Sequence, residues 1–206
     1  MSEPRESTSA LSALRRFARP RPRDVEVCGL CGAAVPPAHE HLIDPAARQL
    51  ECACGACAIL FAGQAKWRRV RRRVERLHGF VLDDAQWNAL AIPIRLAFFT
   101  HSSAAGRVVA FYPSPAGAAE AWLPPQAWAE LVAANPVLAS LEPDVEALLV
   151  DRARGAERHY RVSIDECYRV VGLIKLHWRG LGGGAEVWTH LDRFFAELDG
   201  GAACPT

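Results

Sequence analysis

The sequence predicts an α+β protein: a small cysteine-rich module followed by a mixed, mainly antiparallel sheet flanked by helices. Three observations predict it. Five cysteines gather between residues 28 and 57. Stretches rich in β-branched and aromatic residues come in pairs separated by turn-like segments, and two stretches near the end carry the helical period. With 206 residues, half of them apolar and 23% charged, the chain is long enough for one ordinary domain with a small appended module.

Residues 1–24 mix Ser, Arg and Pro without a sustained apolar period and read as a disordered arm, with a short helix at "SALSALRRFA". A cysteine module is expected over 25–64, a basic connector over 65–79, an α+β domain over 80–199 and a tail over 200–206. In the domain, "DDAQWNAL" begins with an Asp able to cap a short helix. "IPIRLAFFTHS" and "GRVVAFYPSP" read as a hairpin around "SSAAG". "PPQAWAELVAANP" reads as a helix with Pro in its first turn. "VEALLVDR" and "ERHYRVSI" read as two further strands. Asp165 is expected to cap a helix carrying Cys167, Val170, Val171, Ile174 and Trp178 on one face, and "AEVWTHLDRFFAEL" gives a last amphipathic helix.

No apolar stretch is long enough to span a bilayer. "RRF" at 15–17 is not followed by the apolar segment of an export signal, so a cytoplasmic location is expected. In that reducing setting clustered cysteines point to a metal rather than to disulfides. Cys28-x-x-Cys31 and Cys54-x-x-Cys57 are two pairs with knuckle spacing, separated by 22 residues, near the span of a zinc ribbon. Two residues between ligands let both sulfurs face one ion. "HLIDPAARQLE" supplies a strand, a turn and a returning strand between the pairs. Cys52, two residues before Cys54, is expected on the same strand face, where it shields the site or substitutes as a ligand. His39 and His41 are further candidates, more simply read as packing or surface groups. Zinc is the expected ion. A single rubredoxin-like iron is the alternative, though Ala58 stands where a second rubredoxin knuckle would carry glycine, and five cysteines also admit an iron–sulfur cluster.

The charge is uneven. Residues 1–79 hold 14 Lys+Arg against 8 Asp+Glu, and the remainder 10 against 15. Lys66, Arg68, Arg69, Arg71, Arg72, Arg73 and Arg76 form a basic run, and Trp67, Val70, Val74 and Leu77 interleave so that a helix would separate the two faces. Such a stripe beside a metal module is an alternative reader of nucleic-acid phosphates. The arginine-rich composition weakens that reading. No nucleophile and base share a recognisable pattern: Cys167 lies on an apolar helix stripe, His177 reads as a helix-end group, and His101, His159 and His190 show no ligand spacing. A non-enzymatic role is therefore favoured.

Taken together, "CGLCG", "EHLID", "CACGACAILF", "HSSAAGRVVAFYPSPAGA", "LVAANPVLASLEPDVEALLV" and "IDECYRVVGLIKLHWRGLGGGAEVW" resemble an uncharacterised bacterial domain family, from about residue 25 to 198. Members of that family are encoded beside high-affinity nickel-iron hydrogenases of the actinobacterial type and their maturation factors. The resemblance implies a metal-binding accessory protein whose partners are hydrogenase subunits or maturation factors. It also places Cys52 within the family's cysteine motif, alongside Cys28, Cys31, Cys54 and Cys57.

Overall fold

The computed structural model describes residues 25–180 and 182–202. The expected N-terminal arm with its short helix, and Cys204, lie outside the described residues. The chain first forms a hairpin of β1 (Glu40–Asp44) and β2 (Gln49–Ala53), whose turn is fixed by Asp44 Oδ1 accepting from the amides of Ala46 and Ala47 at 3.0 Å. Helix α1 (Gly55–Phe61) follows β2 directly. Then β3 (Arg68–Val70) pairs with the other edge of β1, giving a three-stranded sheet in the order β2-β1-β3.

The larger sheet takes β4 (Val74–Arg76), β5 (Leu96–Ser102), β6 (Arg107–Ser114), β7 (Gly117–Ala121), β8 (Glu146–Asp151) and β9 (Arg158–Ser163). Their order is β4-β9-β8-β5-β6-β7, and every strand pair in both sheets is antiparallel. The hairpin β5–β6 and the pair β8–β9 stand where the sequence predicts them. β7 returns from β6 through Gly117, and its pattern "GAAEA" is too small-residue-rich to announce a strand.

Alternation along the central strands splits the core into two layers. Leu96, Phe98, Val109, Phe111, Ala147 and Leu149 face α4 (Ile164–His177) and α5 (Gly184–Ala202). Ala97, Phe99, Ala110, Leu148 and Val150 face the other way, with residues of α2 (Asp84–Ala89), α3 (Pro125–Ala134) and the short 3₁₀ turn Pro136–Ser140. α2 begins at Asp83, whose carboxylate accepts from the Gln86 amide at 2.7 Å while the Gln86 side chain accepts from the Asp83 amide at 2.9 Å, a reciprocal capping box. Asp165 does not cap α4. Ser163 occupies that position and Asp165 sits in the first turn, its carboxylate turned to His41 of the small sheet.

The small sheet also has two faces. Leu42 and Ala53 pack with Cys28, Cys57 and Trp67, whereas Ile43, Leu50 and Val70 join the core under α4 and α5. The helix expected over the basic run does not form, because residues 68–70 and 74–76 complete the edges of two different sheets. Its apolar residues accordingly go to three cores: Trp67 to the cysteine module, Val70 and Val74 to the α4–α5 layer, Leu77 to the opposite layer. Edge pairing with neighbours overrides the helical period. Among the described residues no helix is long and apolar enough to cross a membrane.

Candidate metal centre

The first cysteine pair is held by a tight turn. The Cys28 amide donates to the Ala33 carbonyl at 2.7 Å, and the Gly32 amide donates to the Cys28 carbonyl at 2.8 Å. Gly32 sits at φ +74°, a conformation that favours glycine. The turn docks on β2 through the Gly29 amide, which donates to the Cys52 carbonyl at 2.8 Å. Glu51 lies so close to Gly29 that an added Cβ would meet its carboxylate at 2.1 Å. The glycine thus permits this approach.

The second pair is positioned differently from the ribbon expectation. β2 ends at Ala53, Cys54 stands at the N-cap of α1, and Cys57 lies in its first turn. The module is a knuckle, a hairpin and a helix, rather than two knuckles. The ligand atoms of Cys28, Cys31, Cys54 and Cys57 nevertheless lie within 4.8 Å of one another, with the Cys31 and Cys54 sulfurs 3.8 Å apart. A tetrahedral ion bound at about 2.3 Å sets sulfur–sulfur edges of about 3.8 Å. The spacing suits one ion. An iron–sulfur cluster distributes its thiolates over several irons and holds them further apart.

The electrostatics would suit a cation. Burial opposes ionisation of Cys28, but amides of Cys54, Cys31 and Leu30 and the Cys31 thiol aim at its sulfur and bring it down to about 6. Burial and the three neighbouring cysteines push Cys57 up to about 12. One sulfur is set up as a thiolate while a neighbour resists a second negative charge. A divalent cation bound there would remove that conflict and let all four ionise.

Cys52 does not belong to this group. Because the chain leaves the strand at Ala53, the expectation that Cys52 and Cys54 share a strand face fails. Cys52 lies instead with His39 and His41, their ligand atoms also within 4.8 Å of one another. Burial, followed by the charges of Glu26, Glu51 and Cys28, raises its thiol pKa.

The basic run is largely engaged within the protein. Lys66 approaches Asp44 at 3.8 Å, Arg68 binds Asp144 at 3.2 Å and Glu142 at 3.3 Å, and Arg69 grips Glu40 with two hydrogen bonds of 2.9 and 2.7 Å. Arg73 pairs with Glu75 at 2.8 Å, and Arg76 with Asp199 at 2.6 Å. Arg71 and Arg72 are exposed, and neither makes an ion pair among the described residues.

Cys167 is fully buried in the α4–α5 layer and its pKa lies well above the ordinary thiol value, first through burial and then through Asp165 and Glu166. It is a core thiol, as its place on the helix stripe implies. Sequence reading missed a third cluster: His177, Glu186 and His190 also bring ligand atoms within 4.8 Å of one another, with the imidazoles stacked at 3.6 Å. Glu186 and His190 stand one helical turn apart on α5, which was visible, but their approach to His177 depends on the α4–α5 turn.

No curated protein and no solved structure matches the chain. A family of unknown function, DUF5947, matches residues 27–202, a span that holds all five clustered cysteines, both sheets and helices α1–α5. The chain belongs to that family, DUF5947.

Proposed function

We propose that the protein is a non-enzymatic, zinc-binding accessory protein that supports assembly or function of a nickel-iron hydrogenase. The observation that carries the metal is the four-sulfur cluster of Cys28, Cys31, Cys54 and Cys57. Zinc is favoured over a rubredoxin-like iron because the second pair sits on a helix, not on the second knuckle that rubredoxin resemblance requires. The hydrogenase connection rests on the resemblance of the long motifs to a family encoded beside such enzymes. Ile59 and Leu60, 72% and 70% exposed on the helix that carries Cys57, support a protein-docking role for the metal module. The nucleic-acid reading loses support, since five of the seven basic residues already hold carboxylates.

Elemental analysis of the full chain purified without oxygen tests the metal. Zinc without colour, lost from the Cys54→Ser variant, is the expected result; iron with charge-transfer bands would instead make this an electron carrier. The partner is tested by deleting the gene in a host that carries such a hydrogenase. Hydrogen uptake should fall at normal hydrogenase transcript levels, and unchanged uptake would end the accessory reading.

A further inference from the structure

The face of the small sheet turned away from the four-sulfur centre carries a second set of donors. His41 is the second residue of β1 and His39 stands immediately before the strand, and Cys52 is the direct cross-strand partner of His41. The ligand atoms of the three lie within 4.8 Å of one another, and the two imidazole centroids are 4.7 Å apart.

Each ring is anchored through Nδ1. The Pro36 carbonyl only accepts, so His39 Nδ1 donates to it at 2.9 Å. Asp165, in the first turn of α4, accepts from His41 Nδ1 at 2.9 Å. Both anchors leave the lone pair on Nε2. The His39 side chain is only 5% exposed, and its Nε2 has no hydrogen-bond partner among the described residues. A buried ring nitrogen left unpaired is costly and calls for an explanation. A carbonyl or carboxylate on one ring nitrogen and a free lone pair on the other is how metal-ligating histidines are oriented.

We infer that His39, His41 and Cys52 form a second metal site, separate from the four-sulfur centre, for a borderline divalent cation of the Zn²⁺ class. Two imidazoles and one thiolate select that class over the hard cations Mg²⁺ and Ca²⁺. Three protein ligands leave a fourth position, the arrangement of open rather than closed zinc centres. Both imidazoles line a cleft of about 1060 Å³ whose arginines are matched by Glu26, Glu40, Asp165 and Glu166, so the ligand suited to that position is water. Asp165 is a positioning residue, acting through His41 and tying the site to α4.

The test is metal titration of the full chain with Zn²⁺, and with Co²⁺ as a coloured substitute. Wild-type protein is expected to take about two equivalents and the His41→Gln/Cys52→Ala variant about one, since each site holds a single ion. In the cobalt form the second equivalent adds the charge-transfer absorption of one thiolate, against four for the first. Asp165→Asn, which keeps all three ligands and nearly the same side-chain volume, should weaken only the second equivalent, by about 10–100-fold. Retention of the first equivalent shows that each variant is folded. A wild type that binds one equivalent, removed only by changes at Cys28, Cys31, Cys54 or Cys57, would overturn the inference. So would a second equivalent that is untouched in the His41→Gln/Cys52→Ala variant. Both results leave the four-sulfur centre and the hydrogenase reading standing.

Discussion

His159 on β9 is a residue whose burial has a direct thermodynamic reading. Its ring stacks on Phe80 at 4.8 Å, and its Nε2 is buried without a partner among the described residues. Burial, followed by the nearby charges of Arg152 and Arg76, lowers its pKa from 6.5 to about 4, against a smaller opposing effect of Glu157. The folded protein therefore keeps this histidine neutral, while the unfolded chain takes up a proton as pH falls through 6.5. Between those two values the unfolded state binds more protons, so stability declines on acidification and is unaffected by this group at neutral pH and above. Because the ring is only partly buried and solvent screens it, the protein is expected to be about 1 kcal/mol less stable at pH 5 than at pH 7.5 from His159 alone. Urea midpoints at the two pH values check this, and His159→Leu should remove that part of the difference.

At the scale of elements, β8 is the centre of the fold. Leu148 and Leu149 are both fully buried but face opposite layers, so each reports on a different core. Leu149→Ala is expected to cost about 2–5 kcal/mol through the α4–α5 layer. Leu148→Ala should cost a comparable amount through the α2–α3 layer, and chemical denaturation of the pair checks both. Strands such as β8 were legible because their apolar runs are short and bounded by turns. The capping of α2 was legible from Asp83 for a similarly local reason. The basic run was not: its 3-4-3 apolar spacing is a genuine helical pattern, and only the availability of two sheet edges turns Val70 and Val74 into strand residues. The gathering of Cys28, Cys31, Cys54 and Cys57 could be read from their spacing. The separation of Cys52 from them could not, since it depends on where β2 stops. Nor did the sequence reveal that Asp165 reaches across 124 positions to His41.

For the whole molecule, the two modules share a packed boundary yet draw stability from different sources. The small knuckle–hairpin–helix unit has a core of few residues around Leu42 and Trp67, whereas the six-stranded sheet has a full layer on each face. An ion held by Cys28, Cys31, Cys54 and Cys57 would tie the former together, whereas apolar burial holds the latter. A strong chelator at neutral pH is therefore expected to abolish amide-exchange protection over residues 28–61 while leaving it over 96–102 and 146–163. Hydrogen exchange followed by mass spectrometry resolves the two regions. Uniform loss across the chain would mean that the metal supports the large sheet as well.

β3 and β4 are separated by only Arg71, Arg72 and Arg73, yet one completes the small sheet and the other is the outermost strand of the large one. That short bridge governs how the chain can be cut. A fragment starting at residue 80, where the charge balance changes sign, lacks β4 and bares the ladder of β9, with Tyr160 and Val162 along it. An unpaired edge of this kind recruits other chains. Such a fragment is expected to self-associate in size-exclusion chromatography, whereas one starting at residue 66 keeps the edge covered.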